Sequence, residues 1–461
     1  MTETYTLKKI FGTDGIRGEA NRHPITSEVA LKLGMAAGAM FRNHSDRSRI
    51  VIGKDTRLSG YILESALMSG ICAMGTDVYL VGPMPTPAIA FITRTMRADA
   101  GIVISASHNP YQDNGIKFFG SDGRKLPDER EAQLEMLADD EHLDRPTHTG
   151  VGRAYRMDDA EGRYIEYAKN TIPKGMTFDG LKMVVDCANG AAYVVAPTIF
   201  EELGAKVITI GASPDGLNIN DGCGSTNPEY MVEKVLEEGA DMGLALDGDG
   251  DRAIFCDSDG NIVDGDDVLY ICAGYALQNG ELPENTIVGT EMTNMGLEAA
   301  LREMGVNLKR SAVGDRYVLE EMLKSGSVMG GEPSGHLIFL DHSTTGDGII
   351  TALQVVKCMV ETGSAMGDLK EGWIRYPQVL MNLRVREKVP LEDLDWLPEL
   401  LESARNTMGK DRLLSIRYSG TEPVLRLTVS CKSEEIVKSV SDQLGVKLAE
   451  GLGSRYPEDI I

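Results

Sequence analysis

One arrangement occurs three times along the chain, and a repeat of that length dictates architecture before any single residue does. In the first copy Arg49 to Gly53 reads as a strand, a helical stretch closes near Gly75, Val78 to Val81 is a second strand and Gly101 to Ser105 a third. In the second copy the strands are Met183 to Asp186, Val207 to Ile210 and Gly243 to Asp247, with Leu203-Gly204 closing the helix. In the third they are Thr286 to Val288, Val306 to Leu308 and Val328 to Glu332, with Met304-Gly305 closing the helix. Parallel strands need a crossover, so strands alternating with helical stretches predict βαβ units and mostly parallel sheets. At 461 residues the chain is too long for one core, and three or four domains are expected.

Sites in such sheets gather at the carboxyl ends of the strands. Each third strand leads into a polar or glycine-rich loop: Ser105-Ala-Ser-His-Asn-Pro110, Asp247-Gly-Asp-Gly-Asp-Arg252 and Gly331-Glu-Pro-Ser-Gly-His336. Three equivalent loops of different chemistry predict one shared cleft. From about Trp373 the pattern changes. Val379 to Val385, Leu413 to Arg417 and Val424 to Val429 read as strands, and Ser433 to Leu448 has helical spacing, which predicts a small α+β domain. The charge-rich stretch Asp128 to Lys169 is expected to be a long surface helix or a linker.

Asp247, Asp249 and Asp251 alternate with Gly248 and Gly250. Alternate side chains share a face, the glycines let the loop curl, and converging carboxylates repel unless a cation sits among them. All-oxygen ligands suit a hard ion such as Mg²⁺. An EF-hand is excluded because Arg252 and Ser258 stand where that loop needs Gly and Glu. The G-x-G-x-x-A match at Gly248 to Ala253 is excluded because three aspartates would repel a pyrophosphate. Ser105 and Ser107 lie on one strand face, and spacing leaves open which is the nucleophile. Arg417-Tyr-Ser-Gly-Thr-Glu-Pro423 with Arg426 offers a guanidinium, hydroxyls and backbone N–H groups for a phosphate dianion. Glu332, Ser334 and His336 could hydrogen-bond sugar hydroxyls. Phe11-Gly-Thr-Asp-Gly-Ile-Arg-Gly18 presents Arg17 among turn residues, and Asp113-Asn-Gly-Ile-Lys117 places Lys117 close behind the serine loop.

The formal net charge of -24, without any Lys/Arg-rich block, argues against nucleic acid as a partner. Seven scattered cysteines with no C-x-x-C pair predict reduced thiols in a cytoplasmic protein. The polar start, Met1 to Lys9, and the lack of any run of about 18 apolar residues predict neither a signal peptide nor a membrane span.

The four loops, in this order, resemble those of the α-D-phosphohexomutase superfamily over essentially the whole chain. Within it, Phe11 to Arg17, Ile104-Ser-Ala-Ser-His-Asn-Pro110, Asp113 to Gly120 and Gly314-Asp-Arg-Tyr-Val318 are similar to the branch that handles glucosamine phosphate. Pro333 stands where that branch commonly has Gln, and Tyr418 where the phosphate loop commonly has Pro. The resemblance implies three related α/β domains with mixed, mostly parallel sheets plus a C-terminal α+β domain, around a central cleft. The expected bounds are 1–157 with the phosphoserine loop, 158–257 with the metal loop, 258–372 with the sugar loop and 373–461 with the phosphate loop. It also implies that Ser107 carries a phosphate, whose oxygen completes a Mg²⁺ site with Asp247, Asp249 and Asp251. Glu332 and Ser334 would bind the sugar, and Arg417, Ser419, Gly420, Thr421 and Arg426 the distal phosphate.

The activity so implied is isomerisation of glucosamine 6-phosphate to glucosamine 1-phosphate, toward UDP-N-acetylglucosamine and cell-envelope precursors. Phospho-Ser107 donates to the sugar, a glucosamine 1,6-bisphosphate forms and turns over, and its other phosphate returns to Ser107. Glucose 1,6-bisphosphate is an alternative activator. Arg17 and Arg252 would flank the moving phosphoryl group, and Lys117 or His336 would take the sugar's proton, with Lys117 favoured for its proximity in sequence to the serine loop. Phosphomannomutase/phosphoglucomutase activity and, in another class, a sugar-phosphate phosphatase are the alternatives. Beyond the sugar phosphate, a homodimer stays an open option.

Overall fold

Each repeat forms its own sheet, and the three sheets share one strand order. In the computed structural model, which describes residues 10–12, 14–42, 48–419, 423–454 and 456, strand Arg49–Lys54 lies parallel to both Asp77–Pro83 and Ala100–Ile104. Strand Asp113–Gly120 then runs antiparallel beside Ala100–Ile104. The second sheet repeats this with Lys182–Asp186 parallel to Lys206–Ile210 and Met242–Leu246, and Ala253–Asp257 returning antiparallel. In the third the order is Asn307–Ser311, Thr286–Thr290, Met329–Gly331 and the antiparallel Leu337–Phe339. The repeat read from the sequence is therefore real, with one addition. After each third strand the chain turns back on itself, so each of the three polar loops is the connection of an antiparallel pair.

The central strands are apolar along their whole length because helices cover both faces. Strand Ala100–Ile104 is buried throughout, and its core includes Leu33 and Ala37 of helix Ser27–Met40 and Leu63, Leu67 and Ile71 of helix Gly60–Ala73. These two helices cross closely at Gly34 and Gly70: a Cβ on Gly34 would come within 2.5 Å of the Leu67 carbonyl oxygen. Helix starts are set by side-chain caps, Thr26 accepting from the Val29 amide and Asp347 from those of Ile349 and Ile350. Asp347 also accepts the Tyr164 hydroxyl at 2.9 Å, and its burial pushes the carboxyl up to about 7.

Two expectations are corrected. Asp128 to Lys169 is not one helix or a linker: helix Asp128–Ala138 is followed by strand Ala154–Arg156, which joins the edge of the first sheet beside Asp77–Pro83, and by helix Ala160–Lys169. Its apolar positions are too short and scattered to show that pairing in sequence. Arg17 stands not in a turn but in strand Ile16–Glu19, held antiparallel against Asp113–Gly120 with Arg17 opposite Gly115.

By internal packing the chain divides into two units, Met1–Glu291 with Lys309–Lys370, and Met292–Leu308 with Glu371–Ile461. In the second unit Val424–Cys431 is the central strand of an antiparallel sheet between Gln378–Arg384 and Arg412–Tyr418. Helices Leu397–Met408 and Glu434–Leu452 pack their apolar residues onto it, among them Leu397, Val437 and Leu444. This is the α+β domain expected from the alternation. The seven cysteines are free thiols. No helix among the described residues is long and apolar enough to cross a membrane.

Candidate active site

The serine loop follows a buried strand, and its shape is imposed by two side chains from elsewhere. Arg57 is fully buried and donates from Nη1 to the Pro110 carbonyl at 2.6 Å and from Nη2 to those of Ser107 and Asn109 at 2.8 and 2.9 Å. Its Nε donates to Asp55 at 2.8 Å. Asn220 of the second repeat donates to the Ser107 and Asn109 carbonyls, each at 3.0 Å. Held this way, Ser107 adopts a left-handed φ of 52°, a conformation that costs a non-glycine residue about 1–3 kcal/mol. The two serines thereby part. Ser105 Oγ accepts the Ser107 amide at 2.9 Å, whereas Ser107 Oγ donates to Asp247 Oδ2 at 2.6 Å.

The aspartate loop meets it from the second sheet. Asp247, Asp249 and Asp251 are all buried, with one carboxylate oxygen of each within 4.8 Å of the others. Gly248 permits the approach, because a Cβ there would come within 2.7 Å of the Ser107 carbonyl oxygen, and Gly250 supplies a φ of 69°. Asp247 Oδ1 accepts the amides of Asp251 and Arg252 at 3.1 and 3.2 Å. Asp249 Oδ2 accepts Thr86 Oγ1 at 2.7 Å and Lys117 Nζ at 3.0 Å. Oδ1 of Asp249 and Oδ1 of Asp251 are buried with no hydrogen-bond donor. Burial, then the charges of Asp251 and Asp249, push the Asp247 carboxyl well above the usual range. Burial also opposes charge on Asp251, but His336, Lys117 and Arg252 outweigh it and hold that carboxyl low. Buried oxygens without donors, all from carboxylates, fit a hard cation.

Lys117 and His336 lie against this cluster. Lys117 is opposite Val103 in the first sheet, almost fully buried, 3.2 Å from Asp14 Oδ2 and 3.9 Å from Asp251 Oδ2. Burial disfavours its charge, yet Asp14, Asp249 and Asp251 together raise its pKa above the ordinary lysine value. His336 Nδ1 lies 3.7 Å from Asp251 Oδ2 and its Nε2 3.9 Å from Asp315 Oδ2. Burial works against the imidazolium, and Asp251, Asp315 and Glu332 raise its pKa nonetheless. His108, 3.4 Å from Ser107 Oγ, goes the other way: burial with the charges of Arg252 and Arg17 lowers it to about 4. Arg17 pairs with Asp14, and the Nε atoms of Arg17 and Arg252 are buried without a partner.

Glu332 and Ser334 occupy the third loop, Glu332 accepting the Gly314 amide at 2.8 Å and the Ser334 hydroxyl at 3.2 Å. Within the second unit, Arg417 and Arg426 are directly opposed cross-strand partners. Two like charges there repel unless an anion joins them. Ser419 is buried, and Lys388 donates to its carbonyl at 2.7 Å, adding a third cation to the loop. Gly420 and Thr421 lie outside the described residues. Sequence reasoning missed Arg57, Asn220, Thr86, Asp14, Lys125, Asp315 and Lys388. Asp14 and Asp315 sit inside motifs noted for other reasons, and the rest carry no local signal.

Three related α/β domains presenting a hydroxyl, a carboxylate cluster and a third polar loop, with a fourth domain carrying an arginine pair, define an enzyme that moves phosphate. Family models agree: the description Phosphoglucomutase/phosphomannomutase, alpha/beta/alpha domain I matches residues 8–145, domain II 162–260, domain III 264–376 and the C-terminal domain 380–444. Phosphoglucosamine mutase of Citrifermentans bemidjiense is 53% identical over 449 residues, covering 97% of this chain and 99% of that protein. A crystal structure of a phosphoglucomutase/phosphomannomutase family protein from Burkholderia thailandensis aligns with a TM-score of 0.81 at 26% identity, covering 96% of this chain and 97% of that one. The fold also matches Aspergillus fumigatus N-acetylphosphoglucosamine mutase in complex with GlcNAc-6P and magnesium, at a TM-score of 0.65 and 16% identity over 96% of each chain. This chain belongs to the phosphohexomutase family and is an isomerase.

Proposed function

We propose that the chain is a phosphoglucosamine mutase, interconverting glucosamine 6-phosphate and glucosamine 1-phosphate by way of phospho-Ser107 and a 1,6-bisphosphate, in the cytoplasm. The observation that carries it is Ser107 Oγ aimed at the aspartate cluster, 2.6 Å from Asp247, in a chain whose relatives of that name match it end to end. The sugar specificity rests on those relatives. The domain bounds 1–157, 158–257, 258–372 and 373–461 are kept as part of this reading.

Asp247, Asp249 and Asp251, with an oxygen on Ser107, would hold Mg²⁺, which when bound supplies positive charge to the phosphoryl oxygens. In the first half-reaction the P–O bond to Ser107 breaks as the sugar hydroxyl oxygen bonds to phosphorus, and the hydroxyl proton passes to a base. Arg17 and Arg252 stabilise the equatorial oxygens, since their Nε atoms are buried without a protein partner. Lys117 is the base. Its carboxylate neighbours Asp14, Asp249 and Asp251 favour its charged form and so stabilise the proton once it has been taken up. His336, already held toward its charged form, suits the donor role in the reverse direction. Glu332 and Ser334 read sugar hydroxyls, while Arg417, Ser419, Gly420, Thr421 and Arg426 grip the phosphate that is not reacting.

Chelation of divalent metal is expected to lower turnover by about 10³-fold, and Mg²⁺ to restore it. Asp249→Asn should show the same deficit at all Mg²⁺ concentrations, and wild-type turnover in chelator would remove the metal from the reading. Catalytic efficiency on glucosamine, glucose and mannose phosphates tests the substrate. A clear preference for glucose or mannose would move the chain to the phosphomannomutase/phosphoglucomutase side, and steady release of inorganic phosphate without bisphosphate would make it a phosphatase.

A further inference from the structure

Between the wall that carries Ser107 and the wall that carries Glu332 stands a cation that the chemistry above does not use. Lys125 follows strand Asp113–Gly120 and bridges back onto Phe119. Its ammonium donates to both Asp14 and Asp315. Neither anion is in the metal cluster, but each backs a proton carrier: Asp14 lies 3.2 Å from Lys117, and Asp315 3.9 Å from His336. One lysine thus closes an ionic chain from Lys117 through Asp14 and Asp315 to His336, across two repeats.

The neighbouring contacts run the same way. Thr344 Oγ1 donates to the Gly123 carbonyl at 2.7 Å, and Arg316 pairs with Asp128 and reaches the Leu126 carbonyl at 3.3 Å. Beneath them Pro127, Leu319, Leu323 and Ile338 line a cavity of about 160 Å³, so polar contacts rather than a filled apolar layer join the walls here. Both carboxylates touch the same ammonium, so they lie close together. Without it, among the described residues, Asp14 keeps Arg17 and Lys117 and Asp315 only His336 at 3.9 Å, so the walls lose the cation they share and two carboxylates face each other in a poorly solvated seam.

We propose that Lys125 is a positioning residue, which, anchored on Asp14 and Asp315, locks the serine wall to the sugar wall while the bisphosphate turns between them. This rests on the proposed mutase cycle. A loosened wall has two consequences. Phosphoryl transfer slows, because misplacement by about 1 Å costs roughly 10²-fold, and the bisphosphate escapes before it is used.

The test uses the full-length enzyme, ³²P-labelled at Ser107 and mixed with sugar monophosphate, reading free labelled bisphosphate against product. Lys125→Met is expected to lower kcat by roughly 10²-fold, with KM shifting much less, and to raise bisphosphate release per turnover by at least about tenfold. Lys125→Arg, which keeps the charge, should lie near wild type in release. Lys125→Met/Asp315→Asn, which removes the facing charges, should release less than Lys125→Met alone. A Lys125→Met enzyme that melts like wild type and releases bisphosphate in the wild-type proportion overturns the proposal. If Lys125→Met does not fold, Lys125→Gln, which removes the charge but keeps a polar tip between Asp14 and Asp315, carries the test, and wild-type release from it is equally fatal. If the wild type is inactive on glucosamine phosphate but turns over glucose phosphate, the substrate reading fails while the same partition is read on glucose 1,6-bisphosphate.

Discussion

Ser107→Ala is expected to abolish isomerisation, with a fall in kcat of at least about 10⁴-fold, while the protein folds as before. The fold should survive because everything that shapes the loop acts on backbone atoms. Arg57 and Asn220 bind the carbonyls of Ser107 and Asn109, and Ser105 Oγ binds the Ser107 amide. None of these involves the hydroxyl that is removed. Alanine at φ 52° is no less strained than serine, so stability should change by less than about 1 kcal/mol. The hydroxyl's one strong bond, to Asp247, is lost, and the effect falls on chemistry instead. Intact-protein mass spectrometry should find one phosphoryl group on wild type and none on the variant. Ser105→Ala separates the two serines, since it should keep the phosphate and lose only the amide contact. Full turnover by Ser107→Ala, or a phosphate retained on it, would defeat the assignment.

What could be read from the sequence divides by distance along the chain. Asp247, Asp249 and Asp251 declare themselves because glycines alternate with them within five residues, and they do converge. The three loops declare themselves because each follows the third strand of a repeat, although the antiparallel return after each loop does not show. Ser107 was inseparable from Ser105 by spacing, since the hydrogen bonds that turn one toward the backbone and the other toward Asp247 come from the folded loop. Arg57 was invisible for a related reason. Asp55-Thr-Arg57 looks like any polar turn, and its meaning lies in carbonyls about fifty residues away. Asp14, Lys125 and Asp315 are separated by more than a hundred residues in each step of their chain. Charges of that kind read as solvated surface until a fold brings them together.

Arg57→Met should produce the second large effect, and it acts through the loop's frame. The guanidinium satisfies three carbonyl oxygens and the Asp55 carboxylate at once, a planar fork no other side chain reproduces. Its removal leaves Asp55 buried beside an apolar group. Burial already raises that carboxyl's pKa against the pull of Arg57, so in the variant Asp55 must take up a proton or draw in water. Breaking a buried pair from one side costs about 3–5 kcal/mol. Asn220 still covers the carbonyls of Ser107 and Asn109, and the Asp113 amide that of Pro110 at 3.1 Å, but no other described side chain joins all three carbonyls to Asp55. The left-handed turn at Ser107 then loses the two guanidinium bonds, to the Ser107 and Asn109 carbonyls, that help offset its strain. Amide exchange in residues 105–110 is expected to speed up by about two to three orders of magnitude, and kcat to fall by roughly 10²-fold as Ser107 Oγ leaves its line to the aspartates. Arg57→Lys keeps the charge without the fork, so it should recover part of the stability and little of the rate. A lysine variant with wild-type turnover would mean that charge alone holds the loop, and the geometric role given to Arg57 would be wrong.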